Sequence, residues 1–325
     1  MSDTASTAVL ARLSSPTVEE RTRVAVVSDT HVSPRAEGTP MVYHRSAERL
    51  RTALADAERR GVDAVVSPGD LTKDGAPWEY DLLDEILGEF DLPFFGLPGN
   101  HDVPKAPADE YEYGDDHEPT PVEEFASKYA PTDEFPFVES VGGVDFLGLN
   151  TATQPDGALR RTHDGAVGEA DLAWLEDAVA AAETPVVLMH HNTTPMYDQF
   201  RAHRDAAHPE MGLPPLMRDP EPLMATLRDC EVPLVVTGHL HNVGVARAGP
   251  VREVTTPATG SYPQAYLLFE FGPEGTVVRY VPVADVDGMT EAHRARASGG
   301  ETSAGYTSFA AVRLARLPLV DEFER

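Results

Sequence analysis

Asp29 and His31, Asp70, Asn100 with His101 and Asp102, His190 with His191, and His239 with His241 each stand at the end of a short apolar run. Carboxylate, amide and imidazole groups of this kind bind hard or borderline divalent cations. Residues two apart in extended chain project to the same side, so Asp29 with His31, and His239 with His241, can each aim two donors at one point. Glycines at 69, 99 and 238 allow the backbone to turn sharply beside these groups. Asp29, His31, Asp70, Asn100, His190, His239 and His241 make seven oxygen or nitrogen donors, too many for one tetrahedral ion and enough for two ions sharing a carboxylate. Two divalent ions about 3.5–4 Å apart activate water and neutralise charge in an in-line phosphoryl displacement. Any one fragment is commonplace. Their joint occurrence points to hydrolysis of phosphate esters, with a metal-bridging hydroxide as nucleophile and no serine or cysteine nucleophile required.

The elements that must position these groups are legible as alternating text. "RVAVVSDTH", "DAVVSPGD", "LPFFGLPGN", "VDFLGLNT", "PVVLMHH" and "VPLVVTGHLH" are apolar almost throughout, as strands covered on both faces should be. Between them lie helical periods: a segment from His44 stopping at Gly61, one opening at Pro77, then "EADLAWLEDAVAAAE" and "PLMATLRD". Strand, helix, strand implies α/β layers with much of the sheet parallel. Ligand sites in such sheets form beyond the carboxyl ends of the strands, so the polar strand ends should converge. Periodicity alone suggests a single doubly wound sheet. From Arg252 onward, "REVTTPAT", "AYLLFEFG" and "GTVVRYVPV" follow without a helix and suggest an antiparallel extension. Two segments, Val103 to Pro136 and Asn192 to Pro220, break the rhythm directly after polar strand ends, where inserted loops can shape a pocket. The second carries Tyr197, Arg201, His203 and Arg204, which together with His191 are candidates for substrate binding in a chain short of positive charge.

Composition limits the partners. Lys and Arg total 26 against 54 Asp and Glu, a formal charge of −28 spread along all 325 residues. Such a shell repels phosphate backbones and anionic membranes, which argues against nucleic acid as a partner. Its excess of acid over Lys is like that of cytoplasmic proteins of salt-loving microbes, where screening makes a large charge tolerable. A single cysteine, Cys230, excludes an intrachain disulfide and a cysteine-based zinc site. No basic start followed by an apolar core is visible, and no run approaches membrane-spanning length, so a soluble cytoplasmic protein is expected.

The series "DTH" at Asp29, "GD" at Gly69, "GNHD" at Gly99, "MHH" at Met189 and "GHLH" at Gly238 resembles the calcineurin-like metallophosphoesterase superfamily, block for block and in the same order over residues 23–242. The resemblance implies an α/β fold of four layers, an α/β/β/α sandwich of two mixed sheets, in place of the single sheet. It implies that Asp29, His31 and His241 hold one metal, that Asn100, His190 and His239 hold the other, and that Asp70 bridges them. His101 would contact the phosphoryl group and protonate the leaving oxygen, with Asp102 orienting its ring. Either His190 or His191 can be the ligand, the first by its place straight after the strand and the second then packing behind it. His44, His117, His163 and His293 read as surface residues. Mixed nitrogen and oxygen ligation suits Mn²⁺, Fe, Zn²⁺ or Co²⁺. "PGDLTKDGAPWEY" with "GLPGNHD" and "GHLH" is most similar to the branch of cyclic-nucleotide and small phosphodiesterases; a phosphomonoesterase is the alternative, ahead of a nuclease or a non-catalytic scaffold. The expected organisation is a flexible tail over 1–20, the catalytic domain over 21–285 with both insertions near its site, and an amphipathic C-terminal extension over 286–325 that packs on the core or on a second subunit.

Overall fold

Alternate residues of the central strands serve two different apolar layers. Val24 and Val26 face one buried cluster while Ala25 and Val27 face another, and Phe146 and Leu147 divide in the same way. That period of two is what a strand buried on both sides requires. The structure, a computed structural model, describes residues 7–35, 39–103, 117–118, 120–153 and 163–323.

The strands are β1 (Ala8–Leu13), β2 (Thr22–Val26), β3 (Ala64–Ser67), β4 (Phe94–Gly96), β5 (Phe137–Val141), β6 (Val144–Leu149), β7 (Pro185–Met189), β8 (Leu234–Thr237), β9 (Gly244–Ala248), β10 (Val251–Thr255), β11 (Ala265–Gly272), β12 (Gly275–Pro282) and β13 (Val320–Asp321). The helices are α1 (Ser46–Arg60), α2 (Pro77–Leu87), α3 (Val122–Tyr129), α4 (Glu169–Ala181), α5 (Thr194–Ala207), α6 (Pro220–Asp229), α7 (Val286–Ala297) and α8 (Glu301–Leu314). One sheet runs β13-β1-β12-β11-β2-β3-β4 and the other β5-β6-β7-β8-β10-β9. Both are mixed: β2, β3 and β4 are parallel, as are β6, β7, β8 and β10, and the outer pairings are largely antiparallel.

The sheets face each other across Val24, Val66, Phe95, Phe146, Leu188, Val236, Val254 and Phe269, all buried. On the outside of the first, Leu50, Leu54, Leu83 and Ile86 of α1 and α2 cover Ala25 and Val65. On the outside of the second, Leu175 of α4 with Leu223 and Leu227 of α6 covers Leu147, Val187 and Val235. The result is the four-layer sandwich; a single doubly wound sheet is excluded because the apolar faces pair sheet to sheet.

Two sequence expectations change, and one that left two alternatives is decided. The tail over 1–20 is not free from Ala8 onward: β1 pairs antiparallel with β12 from Ala8↔Tyr280 to Leu13↔Thr276, and Leu10, Ala11 and Leu13 are buried. The stretch after Arg252 is not one antiparallel block, because β10 joins the second sheet parallel to β8 while β11 and β12 join the first. The C-terminal segment packs on its own chain: Phe309 of α8 meets Met196 and Phe200 of α5, Ala292 and Ala310 close over Val42 and Tyr262, and β13 lies parallel beside β1. Of the first insertion, residues 104–116 and 119 lie outside the described residues, and the remainder contributes α3.

Candidate metal centre

The loops leaving β2, β3 and β4 in one sheet, and β7 and β8 in the other, open on the same edge of the sandwich. Backbone bonds stitch them together: Asp29 N–H donates to Gly69 O at 2.9 Å, His31 N–H to Asp70 O at 3.0 Å, and Gly238 N–H to His190 O at 3.0 Å. Asp29, His31, Asp70, His239 and His241 all have positive φ, between 44° and 67°. An L-residue in that left-handed region costs about 1–2 kcal/mol, and it persists only where the surroundings over-determine it. Five of the seven candidate donors thus sit on strained backbone. Glycine is obligatory where two of these turns cross, since a Cβ on Gly99 would come within 2.1 Å of Asp70 Oδ1 and one on Gly69 within 2.6 Å of Gly99 N.

The strained turns gather one ligand atom each from buried Asp29, His31, Asp70 and His241 within 4.8 Å of one another. His31 Nε2 and His241 Nε2 are 2.9 Å apart, with Asp29 Oδ1 3.2 Å from His241 Nε2. Two donors bound to one cation at about 2.1 Å and near right angles stand about 3 Å apart, so the separation has room for a shared ion. On the other side, His239 Nδ1 and Asn100 Oδ1 are 3.0 Å apart, and Asn100 Nδ2 lies 3.1 Å from His163 Nδ1, which turns the amide oxygen toward His239. Asp70 Oδ2 stands between the halves, 3.7 Å from His31 Nε2 and 3.3 Å from His190 Nε2.

Charge and tautomer fit cations here. His190 Nδ1 meets the Pro68 carbonyl at 3.1 Å, and a carbonyl only accepts, so Nδ1 carries the hydrogen and Nε2 faces the Asp70 carboxylate. Burial pulls the His190 pKa down, but the Asp70 charge overrides it and lifts the group to about 9: the position calls for positive charge at Nε2. Burial opposes ionisation of Asp70, yet His190 and His101 beside it hold the carboxyl well below the usual range. Burial holds His31 and His239 well below the ordinary histidine value, leaving neutral rings with lone pairs to offer. His239 Nε2 and His31 Nδ1 are buried without hydrogen-bond partners. His191 differs, since its Nδ1 meets Thr151 Oγ1 at 2.8 Å and its Nε2 the His163 carbonyl at 3.0 Å.

His101 and Asp102 do not form the pair that the family resemblance implies. The Asp102 carboxylate accepts from the backbone amides of Leu71 (3.1 Å), Thr72 (2.7 Å) and Gly99 (2.9 Å) and from the Thr72 hydroxyl (2.8 Å). It is a buried staple between two loops. The His101 ring is held instead by Nδ1 donating to the Lys73 carbonyl at 2.6 Å, which fixes its tautomer.

Of these groups Asp70, Asn100, His101, His239 and His241 reach the floor of a cleft of about 210 Å³, lined also by Met41, Tyr43, Pro214, Pro215, Leu240, Arg296 and Tyr306. Arg201, His203 and Arg204 are not among the described residues that line it. On α5, Arg201 pairs with Asp198 at 3.2 Å and Arg204 with Asp205 at 2.8 Å, while His203 packs on His208 and Phe309. The second insertion reaches the cleft through Pro214 and Pro215 instead, because its helical register turns α5 toward α8. His163, read from sequence as a surface residue, lines the cleft and stacks on His101 with ring centroids 5.5 Å apart. Tyr43, Arg296 and Tyr306 carried no motif and were invisible as site residues.

A family profile described as calcineurin-like phosphoesterase matches residues 22–243. The chain belongs to the calcineurin-like phosphoesterase family. It is a metal-dependent phosphoesterase, and the matched span holds all seven candidate donors. It is 23% identical over 274 residues to a protein of Synechococcus sp. named probable cyclic nucleotide phosphodiesterase, covering 82% of this chain and 94% of that one. A protein of the same name from Rhodococcus erythropolis is 26% identical over 223 residues, 66% of this chain and 63% of that one. Among solved structures, a dimetal phosphatase from Danio rerio shares the fold with a TM-score of 0.59 and 14% identity, over 81% of this chain and 97% of that one. Among the described residues, no helix is long and apolar enough to cross a membrane.

Proposed function

We propose that this phosphoesterase is a diesterase acting on small, cyclic-nucleotide-like substrates at a centre of two divalent cations. Asp29, His31 and His241 hold the first, Asn100, His190 and His239 the second, and Asp70 both. The observation that carries the reading is Asp70 Oδ2 facing His31 Nε2 on one side and His190 Nε2 on the other. When bound, the cations polarise the phosphoryl oxygens and lower the pKa of water. The chain's own residues do the rest. Asp70 accepts the His101 backbone N–H at 2.8 Å and so fixes the imidazole beside the phosphoryl position. With Nδ1 committed to the Lys73 carbonyl, His101 delivers a proton from Nε2 to the leaving oxygen. Asp102 keeps the Asp70 and Asn100 loops in register.

The small cleft and the similarity to proteins named as cyclic nucleotide phosphodiesterases support a compact diester. The charge of −28 opposes polyanionic nucleic acid and supports cytoplasmic residence at high salt. Metal-stripped protein reloaded with Mn²⁺, Zn²⁺, Co²⁺ or Fe²⁺ is expected to cleave bis(p-nitrophenyl) phosphate and 3′,5′-cyclic AMP faster than p-nitrophenyl phosphate. Faster monoester turnover would overturn the diesterase reading in favour of a phosphatase; no turnover with any metal would overturn hydrolysis altogether.

A further inference from the structure

Arg296 of α7 is a buried charge that the seven donors leave unexplained: it is 1% exposed, and burial lowers its pKa to about 10. Its hydrogen bonds run to backbone carbonyls. Nη1 donates to His241 O at 2.6 Å and to Tyr262 O, and Nη2 to Leu240 O at 3.3 Å. Sequestering a guanidinium without a carboxylate is unfavourable unless its hydrogen bonds do something an apolar side chain cannot. Two of the three carbonyls belong to the turn after β8, where His239 and His241 have φ of 67° and 49°. His241 is thereby restrained twice, at its carbonyl by Arg296 and at Nδ1 by Ser261 Oγ at 3.0 Å, which leaves Nε2 beside His31. Arg296 lies outside the matched family segment, in the C-terminal helical pair.

We propose, resting on the two-cation reading, that Arg296 is a positioning residue for the first cation site: its planar fork clamps the strained Leu240–His241 turn and makes the C-terminal helices part of the metal centre. It does not contact substrate or the reacting atoms. Removing the fork lets the turn relax and carries His241 away from His31 and Asp29.

Calorimetric titration of the metal-stripped full chain with Mn²⁺ tests this without any assay of activity. The unaltered chain is expected to bind two ions. Arg296→Met, checked for folding by circular dichroism, is expected to bind one ion with unchanged affinity and the other about 10–100-fold more weakly, the usual effect of losing a group that orients a ligand. Arg296→Lys, which keeps the charge but not the fork, is expected to recover only part of the loss, and it carries the test should the methionine variant not fold. Two sites of unaltered affinity in a folded variant, even one of lower melting temperature, would overturn the proposal and leave the metal centre standing. Failure of the unaltered chain to bind Mn²⁺ would overturn the two-cation reading, and this inference with it.

Discussion

The floor of the cleft is made of strand ends, each donor within a few residues of a buried β-strand, whereas its wall (Met41, Tyr43, Pro214, Pro215 and Tyr306) comes from loops and the C-terminal helices. The floor is rigid because its residues are nearly all buried, five carry positive φ, and loops from both sheets bond to one another, as His239 N–H does to the Asp29 carboxylate. Of the wall residues, Pro214 is buried and Met41, Tyr43, Pro215 and Tyr306 are partly or fully exposed. Chemistry needs groups fixed to fractions of an ångström, and the ends of packed strands provide that. Fitting one substrate over another needs surface that can vary without disturbing the chemistry, and a separate wall provides it.

That contrast can be broken most severely at Asp70. Asp70→Ala removes the carboxylate shared by both halves and is expected to lower kcat by about 10³-fold or more with loss of bound metal, read by steady-state kinetics and elemental analysis. Retention of two metals and normal turnover would remove the distinction between floor and wall. His101→Ala is expected to lower kcat by about 10²–10⁴-fold while metal content stays unchanged, the signature of a proton donor rather than a ligand.

The wall should answer differently. Tyr306→Ala is expected to raise KM by about 10-fold, the effect of losing part of a binding surface, with kcat within about threefold. A matching fall in kcat would place Tyr306 with the floor. The smallest effect belongs to α5: Arg201→Ala and Arg204→Ala should leave kcat/KM within about twofold, since surface ion pairs contribute about 0–1 kcal/mol and neither residue lines the cleft. A loss of 10-fold or more there would mean that α5 reaches the substrate.

Sequence alone placed the seven donors at strand ends because a strand ending in polar residues behind a glycine is a local pattern, readable from a dozen residues at a time. It also set the α/β class, through apolar runs alternating with helical periods, and the acidic surface. The sandwich in place of one sheet was decided by tertiary pairing, since the apolar pattern of a doubly covered strand is the same whether a helix or a second sheet lies above it. The tail from Ala8 became a strand because β12 offered an open edge to pair with. His163 and Asp102 show the same limit at the scale of one side chain. His163 came next to His101 through contacts made across the fold, and Asp102 turned to the amides of Leu71, Thr72 and Gly99 because those amides lay within reach. A carboxylate follows the nearest unpaired donors, and which donors are nearest is a property of the folded chain.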